Sequence, residues 1–255
     1  MLALAWAIPY YEAMSPLSGV LGEAWALYKR YASHFIAISF SVYLVIAVVS
    51  ALLSWALGSV GAFIGLILTV FGAFLLQAAL VKAVQDVRDG TVDMDLGATL
   101  RAALPFVGTV AVASILAAIG IGIGFILIIV PGLILLTFWS LIVPEIVIGG
   151  SGALDSFSRS WRTVRGYGWN VFGTLVMVWI IMIVVNIALS VVLLALPSGW
   201  RSFISELVSG AVVAPFIAAV VTLVYYRLTA AHGERAEPAQ PGAGYGPYAG
   251  DGFSS

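Results

Sequence analysis

Long apolar runs alternate with short polar stretches along this chain, and the lengths of the runs predict its elements. A helix needs about 20 apolar residues to cross the hydrocarbon core of a membrane. The pattern predicts six such spans, near residues 35–57, 62–81, 106–129, 133–148, 170–196 and 207–226. The uncharged run 102–144 is too long for one span. We place its turn at Val130-Pro131-Gly132, because proline disfavours helix in the residue before it. The predicted fold is therefore an all-α membrane protein.

The polar stretches before the first, third and fifth spans have the periodicity of short amphipathic helices. Their apolar positions are Leu17, Val20, Leu21, Ala24 and Tyr28 before the first span, Leu96, Leu100 and Ala103 before the third, and Leu154, Phe157, Trp161 and Val164 before the fifth. Basic residues fall on other faces of the same helices. We expect each helix to lie in the membrane interface with its apolar face against the acyl chains.

These elements form a threefold pattern, in which each unit is an interfacial helix followed by a two-span hairpin. The units cover about residues 17–90, 92–150 and 152–230. Trp25-x-x-x-Lys29-x-Tyr31 in the first unit matches Trp161-x-x-x-Arg165-x-Tyr167 in the third, whereas the middle unit lacks this aromatic signature. The sequence therefore predicts one six-span membrane domain over residues 1–230 with an internal repeat.

Both ends of the chain differ from this domain in composition. Residues 231–255 are rich in Gly, Pro and Ala without apolar periodicity, and we expect a disordered cytoplasmic tail. Residues 1–9 are apolar but lack the basic region of a signal peptide. Met14-Ser15-Pro16 is typical of a natural beginning, so residues 1–13 are interpreted as an extended start or a loose terminus.

The distribution of positive charge predicts an orientation. All 11 Lys and Arg residues except Arg201 fall in connections on the same side of the predicted spans. Basic residues near span ends are retained in the cytoplasm. We therefore expect a multi-pass protein of the cell membrane with both termini cytoplasmic. Trp25, Trp161 and Trp169 lie at the inner ends of spans, where tryptophan anchors helices at the headgroup level.

Composition excludes several classes of function. The chain is 62% apolar and 9% charged, with a net charge of -1, which argues against nucleic acid as a partner. The absence of cysteine excludes disulfides, thiolate metal sites and cysteine nucleophiles. Only His34 and His232 are available for a histidine-based metal site. We predict neither a metal nor an organic cofactor.

One glycine-rich motif imitates a functional site, and two others predict helix packing. Gly149-Gly150-Ser151-Gly152 matches the pattern of rhomboid proteases, but the fifth and sixth spans contain no histidine to act as base. No catalytic constellation remains, and we predict that the protein is not an enzyme. Gly61-x-x-x-Gly65 and Gly120-x-x-x-Gly124 lie in spans and predict close packing of helices.

Three polar residues in the spans form a candidate intramembrane site. Glu145 follows Pro144 near the inner end of the fourth span, and an ionisable group at membrane depth marks an ion or substrate path often enough to be a hypothesis. The structural alternative is a pair with a nearby arginine, or a position in the headgroup layer. Gln77 and Asn186 are the strongly polar amides of the spans, and interhelical hydrogen bonds explain them most simply.

The basic residues beside the interfacial helices form a second candidate site. Each charge near an anionic membrane surface contributes about 1 kcal/mol of attraction. The alternative is that they only determine topology, which requires no particular lipid. This candidate face for lipid headgroups or a partner comprises Lys29, Arg30, Arg101, Arg159, Arg162 and Arg165.

The segment 143–169 resembles the glycerophosphoryl diester phosphodiesterase membrane-domain family. The matching residues are Arg159, Ser160, Trp161, Val164, Arg165 and Gly166, and the layout of residues 17–229 fits as well. Relatives often have an acidic residue directly before the glycine turn, where this chain has Ile148 and carries Glu145 three residues earlier. The resemblance implies a membrane module without the phosphodiesterase barrel, linked to lipid metabolism or to a protein partner.

Two functions from different classes follow from these observations. The first is a non-enzymatic scaffold or accessory module at the cytoplasmic leaflet, with anionic lipids, a protein partner or a second copy of the chain as its partners. The second is a small permease or lipid-handling transporter built from the hairpins. Against transport, none of the predicted spans carries an ionisable residue near its centre.

Overall fold

A computed structural model of the protein describes residues 15–88, 90–193 and 198–236, and the side chains of all of these except 198–209 and 234–236. Every regular element in these ranges is helical. The helices are α1 Val20–Arg30, α2 Ala32–Leu57, α3 Ser59–Val87, α4 Leu96–Ala103, α5 Val107–Leu127, α6 Ile129–Phe138, α7 Ile142–Val147, α8 Asp155–Val164, α9 Gly168–Val192 and α10 Ser198–Ala236, with a 3-10 turn at Leu104–Phe106. Residues 1–13, the end of the fifth predicted span, the side chain of Arg201, and the predicted tail beyond Ala236 lie outside this description.

Six helical segments are long and apolar enough to cross a membrane, which confirms the predicted multi-pass membrane protein. They are Ala32–Leu57, Ser59–Val87, Leu96–Leu127, Ile129–Val147, Gly168–Val192 and Gly210–Gly233. Several are longer than predicted. Lys82, for example, does not end α3, which continues to Val87, and its ammonium lies 5.1 Å from the centre of the Phe106 ring.

The buried residues divide the molecule into two regions. In α2 the buried side chains are Phe35, Ile38, Ser39 and Val42, and the large apolar side chains from Leu44 to Leu57 are mostly exposed. In α3 the exposed half comes first along the chain, and burial is concentrated in the second half, between Phe74 and Val87. We call the region of dense burial the packed end. The exposed halves of α2 and α3, together with the exposed hairpin of α5 and α6, are the apolar arms.

α3 and α10 form the centre of the packed end. The described span of α10 is the most buried of the six, and that of α9 is the least, with only Val171 and Val178 buried among its side chains. α9 therefore lies at the periphery and exposes an apolar surface along most of its length. In a membrane-spanning helix such a surface faces lipid.

Glycines bring consecutive helices of the arms into close contact, as predicted. An added Cβ at Gly61 would overlap the Leu53 carbonyl, and one at Gly65 would lie 2.9 Å from Ser50 Cβ, so α2 and α3 pack backbone to backbone. Between α5 and α6, a Cβ at Gly124 would lie 3.0 Å from Gly132 Cα. These contacts confirm the packing interpretation of both glycine motifs.

One arginine of α10, the last described helix, holds α1 in place. Arg227 of α10 forms an ion pair with Glu23, and its guanidinium also donates to the carbonyls of Pro16 (3.2 Å) and Ser18 (2.6 Å). On its inner face, α1 buries Val20, Ala24 and Tyr28. Burial raises the pKa of the Tyr28 hydroxyl above its usual value. The helix is thus part of the packed end.

Candidate functional site

Glu145 lies inside the packed end and has a neutral partner. Its side chain on α7 is 4% exposed, and Thr163 of α8 donates a hydrogen bond of 2.7 Å to Glu145 Oε1. Among the described residues no arginine pairs with this carboxylate, so the arginine partner considered from the sequence is not found, whereas the headgroup position stays a prediction. In the part of the chain that the structure describes, the ion pair of Arg227 with Glu23 is the only one, and Glu145 is buried. The carboxylate therefore connects α7 to α8.

The glycine turn after α7 brings a third element to this carboxylate. A Cβ added at Gly149 would lie 2.9 Å from Glu145 Oε2 and 3.0 Å from the hydroxyl of Tyr225 on α10. Gly150 has a φ of 66°, a left-handed conformation that favours glycine. Arg159 of α8 lies within electrostatic reach of the Tyr225 hydroxyl. Glu145 thus sits where α7, α8 and α10 meet.

α8 faces the protein through hydroxyl groups and only in part through its predicted apolar stripe. Its buried residues are Ser156, Ser160 and Val164. Leu154 and Trp161, which belong to the stripe, are 72% and 38% exposed. The prediction counted apolar residues, and it therefore missed a face of serine and threonine with the same helical spacing.

Ser160 shows why the inner face of α8 is polar. The path from α6 to α7 breaks at residues 139–141, which leaves backbone groups without helical partners. Ser160 Oγ donates to the Phe138 carbonyl at 2.7 Å and accepts from the Leu141 N–H at 3.2 Å. One hydroxyl therefore bridges the break. A Ser/Thr face at helical spacing was the sequence signal that could have revealed this contact.

The predicted basic face is exposed at the packed end. Each of its members is exposed, namely Lys29, Arg30, Arg101, Arg159, Arg162 and Arg165. None of them takes part in an ion pair with a carboxylate whose side chain is described. The Lys29 ammonium lies 5.5 Å from the centre of the Trp25 ring, and Arg162 Nε donates to the Ser158 carbonyl. These cations remain accessible to an anionic partner.

The three predicted anchors are exposed to different degrees. Trp25 is 50% exposed and Trp169 is 86% exposed, whereas Trp161 stacks on Phe138 with ring centres 4.2 Å apart. Trp161 and Trp169 both contribute to the wall of one groove, of about 730 Å³, between α6 and the start of α9. The structure therefore brings two of the three anchors together.

Gln77 and Asn186 do not join Glu145 in a single polar site. Gln77 is exposed to a cavity of about 350 Å³ whose wall also includes Tyr43, Ser140 and Pro144. Asn186 Nδ2 donates to the carbonyl of Met182, one turn earlier in α9. The remaining lining of the Gln77 cavity is apolar. Over the described ranges, moreover, no group of three or more acidic or histidine residues could hold a metal ion.

Comparison with known protein families finds one family model that matches most of the chain. Residues 21–232 match the model of a family described as Domain of unknown function (DUF7847). The chain belongs to this family. The matched range contains α8, Glu145 and the basic face, so the candidate site lies within the DUF7847 domain. No curated protein and no solved structure matches the chain. The resemblance to the glycerophosphoryl diester phosphodiesterase membrane domain stays a prediction.

Proposed function

We propose that this DUF7847 protein is a non-enzymatic membrane module of the cell membrane, a scaffold or accessory protein that binds anionic lipid headgroups at the cytoplasmic leaflet. The observation that carries the proposal is the exposure of all six predicted basic residues at one end of a bundle whose opposite arms are apolar. Exposed cations beside interfacial aromatic rings attract anionic headgroups.

The orientation follows from the same arrangement. With the packed end toward the cytoplasm, the basic residues lie on the side where positive charge is retained. The arms then cross the hydrocarbon as hairpins, with exposed apolar side chains such as Leu52, Phe63 and Ile123 against lipid. Both chain termini lie on the cytoplasmic side in this orientation.

A common register supports the threefold repeat. Ala24, Thr99 and Ser160 are small residues with 0% exposure, one in each interfacial helix. Seven residues after each of them, an aromatic residue stands at the N-cap of the following long helix, namely Tyr31, Phe106 and Tyr167. The middle unit therefore carries one element of the aromatic signature that it was predicted to lack, with phenylalanine in place of tyrosine.

The structural roles of the motif residues favour a module without catalysis. Among the residues that carry the phosphodiesterase membrane-domain resemblance, Ser160 bridges a helix break, Val164 is fully buried and Gly166 has a φ of 91°. These residues build α8 and its exit. We propose on the strength of the resemblance that the module serves membrane lipid metabolism, through lipids or a protein partner recruited to this face.

The experiment is a lipid-selection measurement on the full chain. The protein is reconstituted in nanodiscs with equal amounts of phosphatidylglycerol and phosphatidylcholine, and the lipids retained on extraction are counted by native mass spectrometry. We expect enrichment of phosphatidylglycerol. The triple variant Arg159→Gln, Arg162→Gln, Arg165→Gln should lose up to about fivefold of this enrichment per charge, since each contributes about 1 kcal/mol.

A charge-conserving control separates attraction from topology. The matched triple variant with lysine at the same positions keeps the positive charge and should keep most of the enrichment. Equal retention of both lipids by the unmodified protein contradicts the proposal. It would leave the arginines with a role in topology alone.

A small permease or lipid-handling transporter is the second candidate, and the cavity beside Gln77 favours it. The exposed amide and Ser140 give this cavity a polar component at the level of the spans. The measurement is uptake or lipid movement in proteoliposomes with the Gln77→Leu variant. A rate that depends on Gln77 supports transport, and the absence of any rate above empty vesicles contradicts it.

A further inference from the structure

The groove between α6 and α9 has walls suited to a hydrocarbon chain. On the α6 side, Val130, Leu133, Ile134 and Phe138 line it, and Phe172 contributes from α9. Thr137 also lies in the wall, but its hydroxyl donates to the Leu133 carbonyl at 2.8 Å. Because this hydroxyl is already bonded, the α6 wall favours an apolar ligand, and the other polar side chain of the lining, Asn170, lies at the start of α9 beside Trp169.

The position of the groove determines what reaches it. Both α6 and α9 belong to segments that are long and apolar enough to span a membrane. Exposed apolar side chains continue on either side, including Ile129 and Ile180. At this depth the surrounding medium is the acyl chains of the bilayer, so a lipid can enter sideways without crossing water.

The opposite end of the groove is aromatic, and two exposed arginines are sequence neighbours of its lining residues. Trp161, Gly166, Gly168 and Trp169 line it at the junction of α8 and α9. Arg162 directly follows Trp161, and Arg165 directly precedes Gly166. Gly168 cannot carry a larger side chain without approaching Phe138, since an added Cβ would lie 3.2 Å from that ring. Tryptophan rings stand at the glycerol level of a membrane and arginine binds phosphate.

We propose that this groove, which we call the α6–α9 groove, binds one acyl chain of an anionic phospholipid and that Arg162 and Arg165 hold its phosphate. The assignment rests on the proposed function, since it names the place where one headgroup lipid is held. Its volume of about 730 Å³ lies within the range of about 300–1,000 Å³ typical of small-molecule sites. The apolar wall selects the chain, and the charged end selects the headgroup.

The test uses phosphatidylglycerol with a photoreactive diazirine in its acyl chain, incorporated in nanodiscs with the full-length protein. After irradiation, the modified peptides are identified by mass spectrometry. We expect strong labelling of residues 130–138 and 169–172. The Ile134→Trp variant fills the groove and should lower this labelling about fivefold or more, because the larger ring occupies the space of the acyl chain; fivefold corresponds to about 1 kcal/mol.

Matched variants make each outcome informative. Ile123→Trp adds the same ring at an exposed position of α5 outside the groove and should leave the labelling unchanged. Both isoleucines are exposed, at 43% and 52%, so neither change disturbs the packed core. Photoreactive phosphatidylcholine in place of phosphatidylglycerol should label the groove several times less, and Arg162→Gln with Arg165→Gln should abolish this difference.

The result that overturns the inference is equal labelling of the groove in Ile134→Trp and Ile123→Trp. That result leaves the proposed function intact if the arginine variants still reduce phosphatidylglycerol enrichment. Conversely, groove labelling that Ile134→Trp removes but that does not distinguish the two lipids supports the chain site. It overturns the role of Arg162 and Arg165 in holding the phosphate.

Discussion

The packed end and the apolar arms of this helical protein are held together in different ways. At the packed end, side chains from α1, α3, α7, α8 and α10 bury one another, and hydroxyl and carboxylate groups find specific partners. In the arms, consecutive helices touch mainly through glycine, and large apolar side chains point away from the protein. Specific packing determines the first region, whereas the second needs only to be apolar, because lipid tails are as apolar as leucine.

The largest effect should come from truncating matched phenylalanines, one at the packed end and one in the first arm. Phe35 of α2 is fully buried and Phe63 of α3 is 64% exposed. Phe35→Ala should lower the free energy of unfolding by about 3–5 kcal/mol, and Phe63→Ala by less than about 1 kcal/mol, because lipid replaces the lost contacts in the arm. Unfolding by SDS in mixed micelles measures both. Equal losses would remove the distinction between the regions.

A methyl group added at the glycine turn should have the next largest effect. Gly149→Ala places a Cβ within 3.0 Å of three oxygens, those of the Glu145 backbone and side chain and of Tyr225. We expect a loss of about 1–3 kcal/mol in the same unfolding assay. Gly173→Ala is the control, since a Cβ there meets no atom within 4 Å, and it should be neutral or slightly stabilising. A neutral Gly149→Ala would show that α7, α8 and α10 do not converge there.

Removing the hydroxyl partner of Glu145 should have an effect of similar size. Thr163→Val leaves a buried carboxylate oxygen without its hydrogen bond, which costs about 1–3 kcal/mol. Thr174→Val is the matched control, because that exposed hydroxyl bonds only to the Asn170 carbonyl of its own helix. A loss no greater than that of the control would show that the Thr163 contact does not hold α8 in place.

The smallest effect on stability should follow from neutralising Glu145 itself. Glu145→Gln keeps a side-chain oxygen that accepts from Thr163, and we expect the folded yield and the unfolding midpoint to change little. The transport rate of the Glu145→Gln variant in proteoliposomes is measured together with its folded yield. A transport activity that disappears with the carboxylate at normal yield would contradict the structural role and favour the permease.

The sequence predicts the apolar arms more completely than it predicts the packed end. The arms were mostly predictable, because a run of apolar residues and a glycine motif suffice to define a span and its neighbour, as at Gly61 and Gly124. The turn predicted at Val130-Pro131-Gly132 is wrong by a few residues, since the chain breaks at Ile128 and Pro131 lies in the first turn of α6, where proline is tolerated. The glycine turn at Gly149 was also recognised as a structural feature. The close approach of Gly149 to Tyr225 was not predicted, because the two residues are far apart in the sequence.

The packed end was predicted less completely, and α8 shows why. Its apolar periodicity is real, but Leu154 and Trp161 point outward while Ser160 and Thr163 point inward. A hydroxyl becomes an inner residue only when a broken helix or a buried carboxylate lies opposite, and periodicity along one helix cannot show that. For the same reason the partner of Glu145 was missed although its position near the span end was recognised.

The central claim is that the packed, basic end faces the cytoplasm, and cysteine labelling tests it most directly. The chain contains no cysteine, so a single introduced thiol reports its own position. Ser158→Cys lies on the exposed face of α8 and Ser59→Cys at the tip of the first arm. With a membrane-impermeant maleimide, we expect Ser158→Cys to react only in inside-out vesicles and Ser59→Cys only in right-side-out vesicles. Reaction of both positions from the same side, or the reverse pattern, would contradict the account.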